Sequence, residues 1–279
     1  MPKIRIITDS ACDLPEELAR DLDIEIISLS IRFGDQEFVD RVELSPTEFW
    51  KKCKASKVLP ETAAPSPGAF QHAYERARSE GFDGVLVLTL SAALSATHQA
   101  ATLAAQTVAG EIEVRVIDTK AVSMALGLMA IEVAEHARLG EGLDELSARA
   151  QSLIAKVGVC GMLDTLEHLV KGGRVGGARA LIGQVLAIKP LLELKDGVVA
   201  EAGRQRTRAK ALAAVADVAR SHGPLQRLAL VHGDAHDLEG FIDTVRQIPT
   251  EHPLIVTDMG PVVGTHGGPG IVALCWVGA

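Results

Sequence analysis

The sequence is poor in aromatic residues, which make up only 3% of its 279 positions. Proteins that bind RNA or single-stranded DNA usually stack the bases on exposed aromatic side chains. The chain also has a formal net charge of −8, which opposes a partner with a phosphate backbone. Nucleic acid is therefore excluded as an expected partner, and the core must be built from Leu, Ile, Val and Ala.

The sequence also lacks paired cysteines and long apolar runs. Its cysteines lie far apart with no C-x-x-C spacing, so no metal site is indicated and reduced thiols are expected. They are Cys12, Cys53, Cys160 and Cys275. The longest nearly apolar run, 121–131, is too short to cross a membrane, and the N-terminus has no signal-peptide pattern. A cytoplasmic protein with no transmembrane segment is the expectation.

The order of strand and helix patterns predicts an α/β fold. Up to about residue 156, short runs of strand residues alternate with helical segments, which indicates a mostly parallel sheet flanked by helices. The continuous apolar run 84–90 fits a strand that is buried on both faces. The later part mixes helices with a hairpin that turns at Asp196-Gly197, which indicates an α+β unit. We therefore expect two domains, at 1–156 and 157–279.

Local signals predict several element boundaries. Residues 24–31 read as one strand, the proline-rich segment 61–68 as irregular, and 91–97 as the beginning of a helix. Asp13 is the expected N-cap of the first helix, and Ser45 caps the helix that follows Pro46. Two later helices are predicted at 178–187 and 236–247.

The segment 258–270, DMGPVVGTHGGPG, holds five glycines and two prolines around one imidazole, His266. Glycine permits backbone shapes with positive φ and lets other groups approach the main chain closely. One interpretation is a flexible connector before the last strand, with an incidental histidine. The other is a preformed loop that holds His266 and several N–H groups toward an oxygen-rich ligand.

Two further polar clusters, at 62–66 and 91–97, lie where predicted elements meet. The second follows the apolar strand directly, and ligands of open α/β sheets bind outside the carboxyl ends of the strands. A helix N-terminus with hydroxyl groups favours an anion, although Ser91 or Ser95 as a plain N-cap is the commoner case. An anion site at this edge of the sheet is therefore a hypothesis that competes with simple capping.

Other chemistries have weaker signals. A serine hydrolase would use Ser95 and His266, but Ser95 is not in a G-x-S-x-G elbow. The K-G-G-R run that ends at Arg174 lacks the Walker pattern for phosphate and reads as a helix stop with a surface arginine. A magnesium cluster of Asp9, Asp13 and Asp118 is less supported still, because Asp13 is explained as a cap.

Seven segments in order make the chain resemble the DegV family of bacterial fatty-acid-binding proteins over nearly its whole length. They begin at residues 7, 62, 90, 117, 164, 203 and 260, and read ITDSACDLP, TAAPSP, LSAALSATHQAA, IDTKAVSMALG, DTLEHLVKGGRV, GRQRTRAKAL and GPVVGTHGGPG. Each segment is modest alone, and their order carries the resemblance.

The resemblance implies two α/β domains with a long-chain fatty acid in a buried tunnel between them. Carried over by position, the carboxylate ligands are Thr62, Ser95 and His266. Thr265, Gly267 and Ser91 are further candidates. The family implies no cofactor and no catalytic residue in this chain: it would carry the acid and present its carboxylate to a separate ATP-dependent kinase. The acyl phosphate formed there would feed phospholipid synthesis.

The resemblance also suggests that arginines dock the kinase or steady the transferring phosphate. The candidates are Arg174, Arg204 and Arg206, with Arg208 beside them; the alternative is a solvated helix start. Ala96 stands where the family usually has glycine, which bears on how closely the helix approaches the ligand. Two other functions stay open: an esterase or thioesterase that uses Ser95 and His266, and a sensor that binds a small polar molecule.

Overall fold

The structure is a computed structural model that describes residues 1–181, 188–236 and 238–279. The strands are β1 Ile4–Asp9, β2 Ile24–Ile27, β3 Ser30–Phe33, β4 Gln36–Val39, β5 Glu61–Ala63, β6 Gly84–Thr89, β7 Glu113–Asp118, β8 Val157–Met162, β9 Lys189–Lys195, β10 Val198–Gln205, β11 Leu225–His232, β12 Ile255–Asp258 and β13 Val272–Gly278. The helices are α1 Glu16–Asp21, α2 Pro46–Ala55, α3 Pro67–Ser79, α4 Thr97–Thr107, α5 Met124–Arg138, α6 Leu143–Leu153, α7 Glu167–Lys171, α8 Arg208–Ser221, α9 Glu239–Arg246 and α10 Pro261–Gly267. Short 3₁₀ helices cover Ser10–Cys12 and Gly176–Leu181.

The first half of the chain forms a parallel four-stranded sheet in the order β2-β1-β6-β7. All six residues of β6 are buried, as its continuous apolar sequence predicts. Helices cover the sheet, so the predicted α/β architecture is confirmed. The carboxyl ends of the four strands lie at one edge, where a ligand site is expected.

The second half forms a six-stranded sheet in the order β10-β9-β8-β13-β11-β12. Its neighbours are antiparallel except β11 and β12, which are parallel. The predicted hairpin is confirmed: Asp196 and Gly197 form the turn between β9 and β10, and both have positive φ. Helix α8 packs on one face of this sheet, against β8, β9, β10 and β13.

Helix α5 lies between the two sheets and contacts β1 and β6 on one side and β11 and β13 on the other. Its eleven residues 124–134 are all buried, as expected of a helix that is enclosed on every face. One hydrophobic core cluster runs from the parallel sheet through α5 to the second sheet. Every strand of the parallel sheet precedes residue 156 and every strand of the six-stranded sheet follows it. The division into domains at that residue stays a prediction.

Several predictions made from local sequence were wrong, because contacts between distant segments determine the structure there. Residues 24–31 form two strands in different sheets, because β3 leaves the parallel sheet for a small antiparallel sheet in the order β4-β3-β5. The segment 61–68 is partly regular, since β5 pairs with β3 in that sheet. Helix α4 begins at Thr97 rather than at Ser91. Within 258–270, the supposed loop contains the helix α10.

Asp13 is not the N-cap of α1. Pro15 occupies the N-cap position of α1, and the buried carboxylate of Asp13 accepts hydrogen bonds from Ser123 Oγ at 2.6 Å and from the Gly260 N–H at 2.9 Å. It therefore links three distant segments. The predicted cap at Ser45 is confirmed, and Glu48 completes a capping box with it.

Two predicted helices extend into undescribed positions. The helix predicted at 178–187 overlaps the 3₁₀ turn only up to residue 181, and 182–187 lie outside the described residues. The helix predicted at 236–247 corresponds to α9, and residue 237 is likewise outside them. Within the described ranges, no helix is long and apolar enough to cross a membrane.

Candidate functional site

A cavity lies between the two sheets, beyond the carboxyl ends of β6 and β7. Fifteen of its 23 described lining residues are aliphatic and none is aromatic. The aliphatic residues are Leu29, Leu90, Leu94, Val122, Val159, Leu163, Leu169, Leu192, Leu194, Val199, Met259, Val262, Val263, Ile271 and Ala273. The volume open to the centre of a water molecule is about 130 Å³, roughly ten times what one water requires. The cavity therefore suits an extended apolar molecule.

Six polar side chains are among the described lining residues. Ser123 and Glu193 are two of them, and the other four belong to neighbouring segments: Thr62, Ser95, Arg174 and His266. Thr62 lies on β5, where pairing with Ile31 of β3 fixes its direction. His266 lies near the end of α10. Thr62 Oγ1 and His266 Nε2 are 3.0 Å apart, so these two predicted ligands, 204 positions apart in sequence, form a hydrogen bond.

The imidazole of His266 is held by close packing on Gly172. A Cβ added to Gly172 would lie 2.2 Å from His266 Nδ1, a distance that no side chain tolerates. Nδ1 is buried and has no hydrogen-bond partner among the described residues. Burial, together with the positive charge of Arg174 and the neighbouring His168, lowers the pKa of His266 to about 4. The imidazole is therefore neutral near pH 7.

Ser95 and Arg174 complete the polar group. Ser95 Oγ is 2.9 Å from Thr97 Oγ1 and accepts a hydrogen bond from the Thr97 N–H at 3.3 Å, at the first residue of α4. The guanidinium of Arg174 donates to the Leu94 carbonyl at 3.1 Å and to the Gly172 carbonyl at 2.6 Å. Arg174 thus joins the segment that carries Ser95 to the glycine that supports His266, and places a permanent positive charge at the cavity wall.

The further candidates from the sequence lie in different environments. Gly267 lines the cavity, but Ser91 and Thr265 are not among its described lining residues. Ser91 Oγ donates to the Gly197 carbonyl at 2.7 Å, and Thr265 Oγ1 donates to the Pro261 carbonyl at 2.8 Å. Both hydroxyl groups therefore stabilise the protein's own backbone.

The candidate arginines also separate. Arg174, a candidate for docking the kinase or steadying the transferring phosphate, lines the cavity. Arg204 and Arg206 are exposed near the end of β10 and do not line it within the described residues. Arg208 contacts Asp164 Oδ2 at 3.2 Å and the Gly270 carbonyl at 2.6 Å, so it stabilises the segment after α10.

Sequence reasoning missed Ser123, which lines the cavity with φ 58° and ψ −151° at the beginning of α5. Such a backbone is strained for a residue other than glycine. Its hydrogen bond to Asp13 holds it there.

Gly172 was also missed, because K-G-G-R reads as a helix stop. No signal in one sequence links Gly172 to His266, since the contact depends on how α7 and α10 pack.

The carboxylates proposed for magnesium are engaged by the protein. Asp9 accepts from the Leu90 N–H at 2.7 Å, and Asp118 accepts from the N–H groups of Ala92 and Lys120 at 3.1 and 3.0 Å. In the part of the chain that the structure describes, no group of three or more His, Cys, Asp or Glu side chains is arranged to hold a metal ion.

The arrangement can bind an amphiphile with an anionic head. Arg174 supplies a positive charge, two hydroxyl groups and an imidazole supply hydrogen bonds, and the aliphatic wall takes an apolar tail. A serine hydrolase requires a base that contacts the nucleophile. Here His266 is hydrogen-bonded to Thr62, and Ser95 is hydrogen-bonded to Thr97. Ser95 and His266 therefore do not form a nucleophile–base pair.

Comparison with known proteins gives one consistent family. The family described as an uncharacterised protein, DegV family, matches residues 3–279. A DegV domain-containing protein of Listeria monocytogenes is 32% identical over 280 residues, which cover 98% of both chains. One of Streptomyces coelicolor is 34% identical over 275 residues, which cover 97% of both chains.

Solved structures show the same fold. A DegV family protein of Thermus thermophilus, described as binding fatty acid, is 33% identical with a TM-score of 0.90, and the match covers 99% of this chain and 100% of that one. A DegV lipid-binding protein of Thermotoga maritima is 30% identical with a TM-score of 0.88, over 99% and 98% of the two chains. DegV of Bacillus subtilis, described as a fatty acid binding protein, is 27% identical with a TM-score of 0.89 over the full length of both.

Proposed function

The chain belongs to the DegV family, and on that premise we propose that it binds a long-chain fatty acid and carries it without chemical change. The observation that carries the proposal is the cavity: an aliphatic wall free of aromatic side chains among the described residues, with Thr62, Ser95, Arg174 and His266 gathered at one place on it. A fatty acid has the same division into a long apolar tail and a single anionic head.

The carboxylate would bind at Thr62, Ser95 and His266, with Gly267 beside them. Burying a carboxylate costs several kcal/mol unless charge and hydrogen bonds compensate it. Arg174 supplies the compensating charge, and each charge-assisted hydrogen bond contributes about 1.5–3 kcal/mol. Because Thr62 Oγ1 and His266 Nε2 are 3.0 Å apart, one carboxylate oxygen can accept from both when their direct bond opens.

The tail would supply most of the binding free energy. Burial of about fifteen methylene groups contributes about 12 kcal/mol, at about 0.8 kcal/mol each. Association costs of about 4–15 kcal/mol offset much of this gain. Binding would therefore be tight but reversible, which suits a carrier.

We further propose that the bound carboxylate is presented to a separate ATP-dependent kinase, which forms the acyl phosphate for phospholipid synthesis. The family resemblance supports this step. The exposed positions of Arg204 and Arg206 suit contact with such a partner, and Arg174 at the cavity would face the transferring phosphate. Catalysis would then reside in the partner.

Mass spectrometry of the purified protein under native and then denaturing conditions tests the proposal. We expect a releasable acid of fourteen to eighteen carbons, or its uptake by stripped protein after exposure to such acids. A protein that stays empty after that exposure would contradict lipid binding. Labelling of Ser95 by a serine-reactive phosphonate would instead favour the esterase, and binding of a polar molecule alone would favour the sensor.

A further inference from the structure

A second cavity continues the first along the same strands. Its lining includes Ala121, Ala125, Ile154, Val157, Val159 and Leu194, and its volume by the same measure is about 340 Å³. Among the residues that the structure describes, only Val159 and Leu194 line both cavities. The two spaces are therefore neighbours that share one boundary.

The pairing of β8 with β9 shows that this boundary is a row of the sheet. Gly161 pairs with Leu192, and continuing the register by two residues sets Val159 opposite Leu194. Two residues further, Val157 and Asp196 both line the second cavity. Residues two apart on a strand share a face and lie roughly 7 Å apart. The two cavities thus lie one after the other along the same face of the sheet.

The segment before and at the beginning of α5 contributes to the walls of both cavities. Leu90, Val122 and Ser123 line the first cavity, whereas Lys120, Ala121 and Ala125 line the second. The hairpin turn at Gly197 lines the second cavity, where its carbonyl accepts the hydrogen bond of Ser91 Oγ. This hydrogen bond explains why the buried Ser91 hydroxyl is satisfied although it does not line the first cavity.

The apolar residues of this passage are incompletely covered by protein. Ile154, Val157, Val159 and Leu194 are only half-buried, although each packs against the main core. Polar residues, among them Lys120, Gln151 and Asp196, stand around the second cavity. An apolar surface reached from the first cavity and ringed by polar groups suits the methyl end of a chain whose head is fixed at His266.

We infer that fatty acids too long for the first cavity extend across the row formed by Val159 and Leu194, on the cavity face of the sheet, and place their methyl ends in the second cavity. The inference rests on the proposed fatty-acid binding and specifies its chain-length range. The position of Val159 and Leu194 determines the chain length at which an acid begins to enter the second cavity. The size of the second cavity determines the longest chain that can be bound.

The test measures affinity for saturated acids of twelve to twenty-two carbons by displacement of a fluorescent fatty acid. Three variants are compared with the wild type. Val159→Phe narrows the shared row. Ala155→Trp fills the second cavity from an exposed position, so the fold is not at risk. Ser152→Trp places the same bulk three residues away on an exposed site that lines neither cavity among the described residues.

Each buried methylene strengthens binding about fourfold. We expect this rise to continue to the longest acids in the wild type and in Ser152→Trp. The rise should stop at shorter lengths in Val159→Phe and Ala155→Trp, with a loss of tenfold or more for the longest acids. Ala155→Trp should bind the shortest acids as tightly as the wild type does. Equal affinities in all four proteins at every length would overturn the inference. Failure of the wild type to bind any acid would instead refute the proposed function.

Discussion

His266 is a neutral imidazole in the free protein, because burial, Arg174 and His168 hold its pKa at about 4. A bound carboxylate beside Nε2 would favour the protonated form and raise this pKa. Between the free and the bound pKa, the complex holds a proton that the free protein lacks. Fatty-acid affinity should therefore increase as the pH falls through that window, by at most about tenfold per pH unit.

Calorimetry in buffers of different ionisation enthalpy measures this coupling directly. We expect the wild type to take up a fraction of a proton on binding at pH 6, and His266→Gln to bind more weakly with no uptake. Equal uptake by His266→Gln would place the proton on the acid itself. Uptake by neither protein would contradict a direct contact between the carboxylate and His266.

Two arginines offer a matched comparison between the cavity and the surface. Arg174→Ala removes the positive charge at the cavity wall, so affinity for the acid should fall at least tenfold. Arg204→Ala changes an exposed side chain outside the described cavity lining, so affinity should stay within twofold while phosphorylation of the bound acid by the proposed partner kinase falls. A drop in affinity for Arg204→Ala, with phosphorylation reduced only in proportion, would refute its docking role.

At the scale of elements, the site depends on the contact between α7 and α10. Gly172 follows α7 with φ −69°, a conformation that alanine adopts readily, so its lack of a side chain serves packing rather than backbone geometry. The added Cβ of Gly172→Ala would displace His266 and break its hydrogen bond to Thr62. We expect a loss of about 1–3 kcal/mol in the free energy of unfolding, and fatty-acid affinity at least tenfold weaker.

Gly240→Ala is the control for this substitution. Gly240 lies in α9, and a Cβ there meets nothing within 4 Å. Alanine favours helix by about 1 kcal/mol over glycine, so this variant should unfold at higher urea concentration and bind the acid normally. Wild-type affinity in Gly172→Ala would show that His266 does not need its present position to hold the ligand.

The elements that could be predicted are those with local causes. The apolar run of β6, the turn at Asp196-Gly197 and the cap at Ser45 each carry their signal within a few residues. Helix α10 and strand β5 do not. The glycines and prolines of α10 predict a loop rather than a helix. Its Gly264 is needed because the helix packs closely on Phe49 and Trp50. Strand β5 forms because it pairs with the edge of β3. In both, tertiary contacts outweigh local propensity.

The same distinction applies to the candidate site. Motif order drew attention to Thr62, Ser95 and His266, and the cavity does bring these three to one wall. Their roles as carboxylate ligands stay predictions. Ser123 and the position of Arg174 could not be predicted, because they depend on long-range contacts: Ser123 on Asp13, and Arg174 on the Leu94 carbonyl. No local pattern in a single sequence indicates such long-range contacts.

At the scale of the whole molecule, buried carboxylates hold the segments around α5 together. Asp13 joins the beginning of α5 to the segment before α10. Burial raises the pKa of Asp9 and Asp13 to about 7 and that of Asp40 to about 6, from an ordinary value of 3.8. Between about pH 4 and 7 these three carboxyls therefore retain protons in the folded state that the unfolded chain has released, which lowers stability as the pH rises. The lowered pKa of His266 acts in the opposite direction, but three carboxyls outweigh one imidazole, so stability should fall through this window.

Asp13→Asn tests this coupling, because asparagine can still accept from the Gly260 N–H and can donate to Ser123 Oγ. Urea unfolding at pH 5 and pH 8 should show the wild type less stable at pH 8. The variant should lose less stability over the same change, since one of the three buried carboxyls no longer ionises. A wild type as stable at pH 8 as at pH 5 would contradict the raised pKa values. An equal loss in both proteins would assign the pH dependence to Asp9 and Asp40, and Asp13 would then be a structural link whose ionisation does not affect the fold.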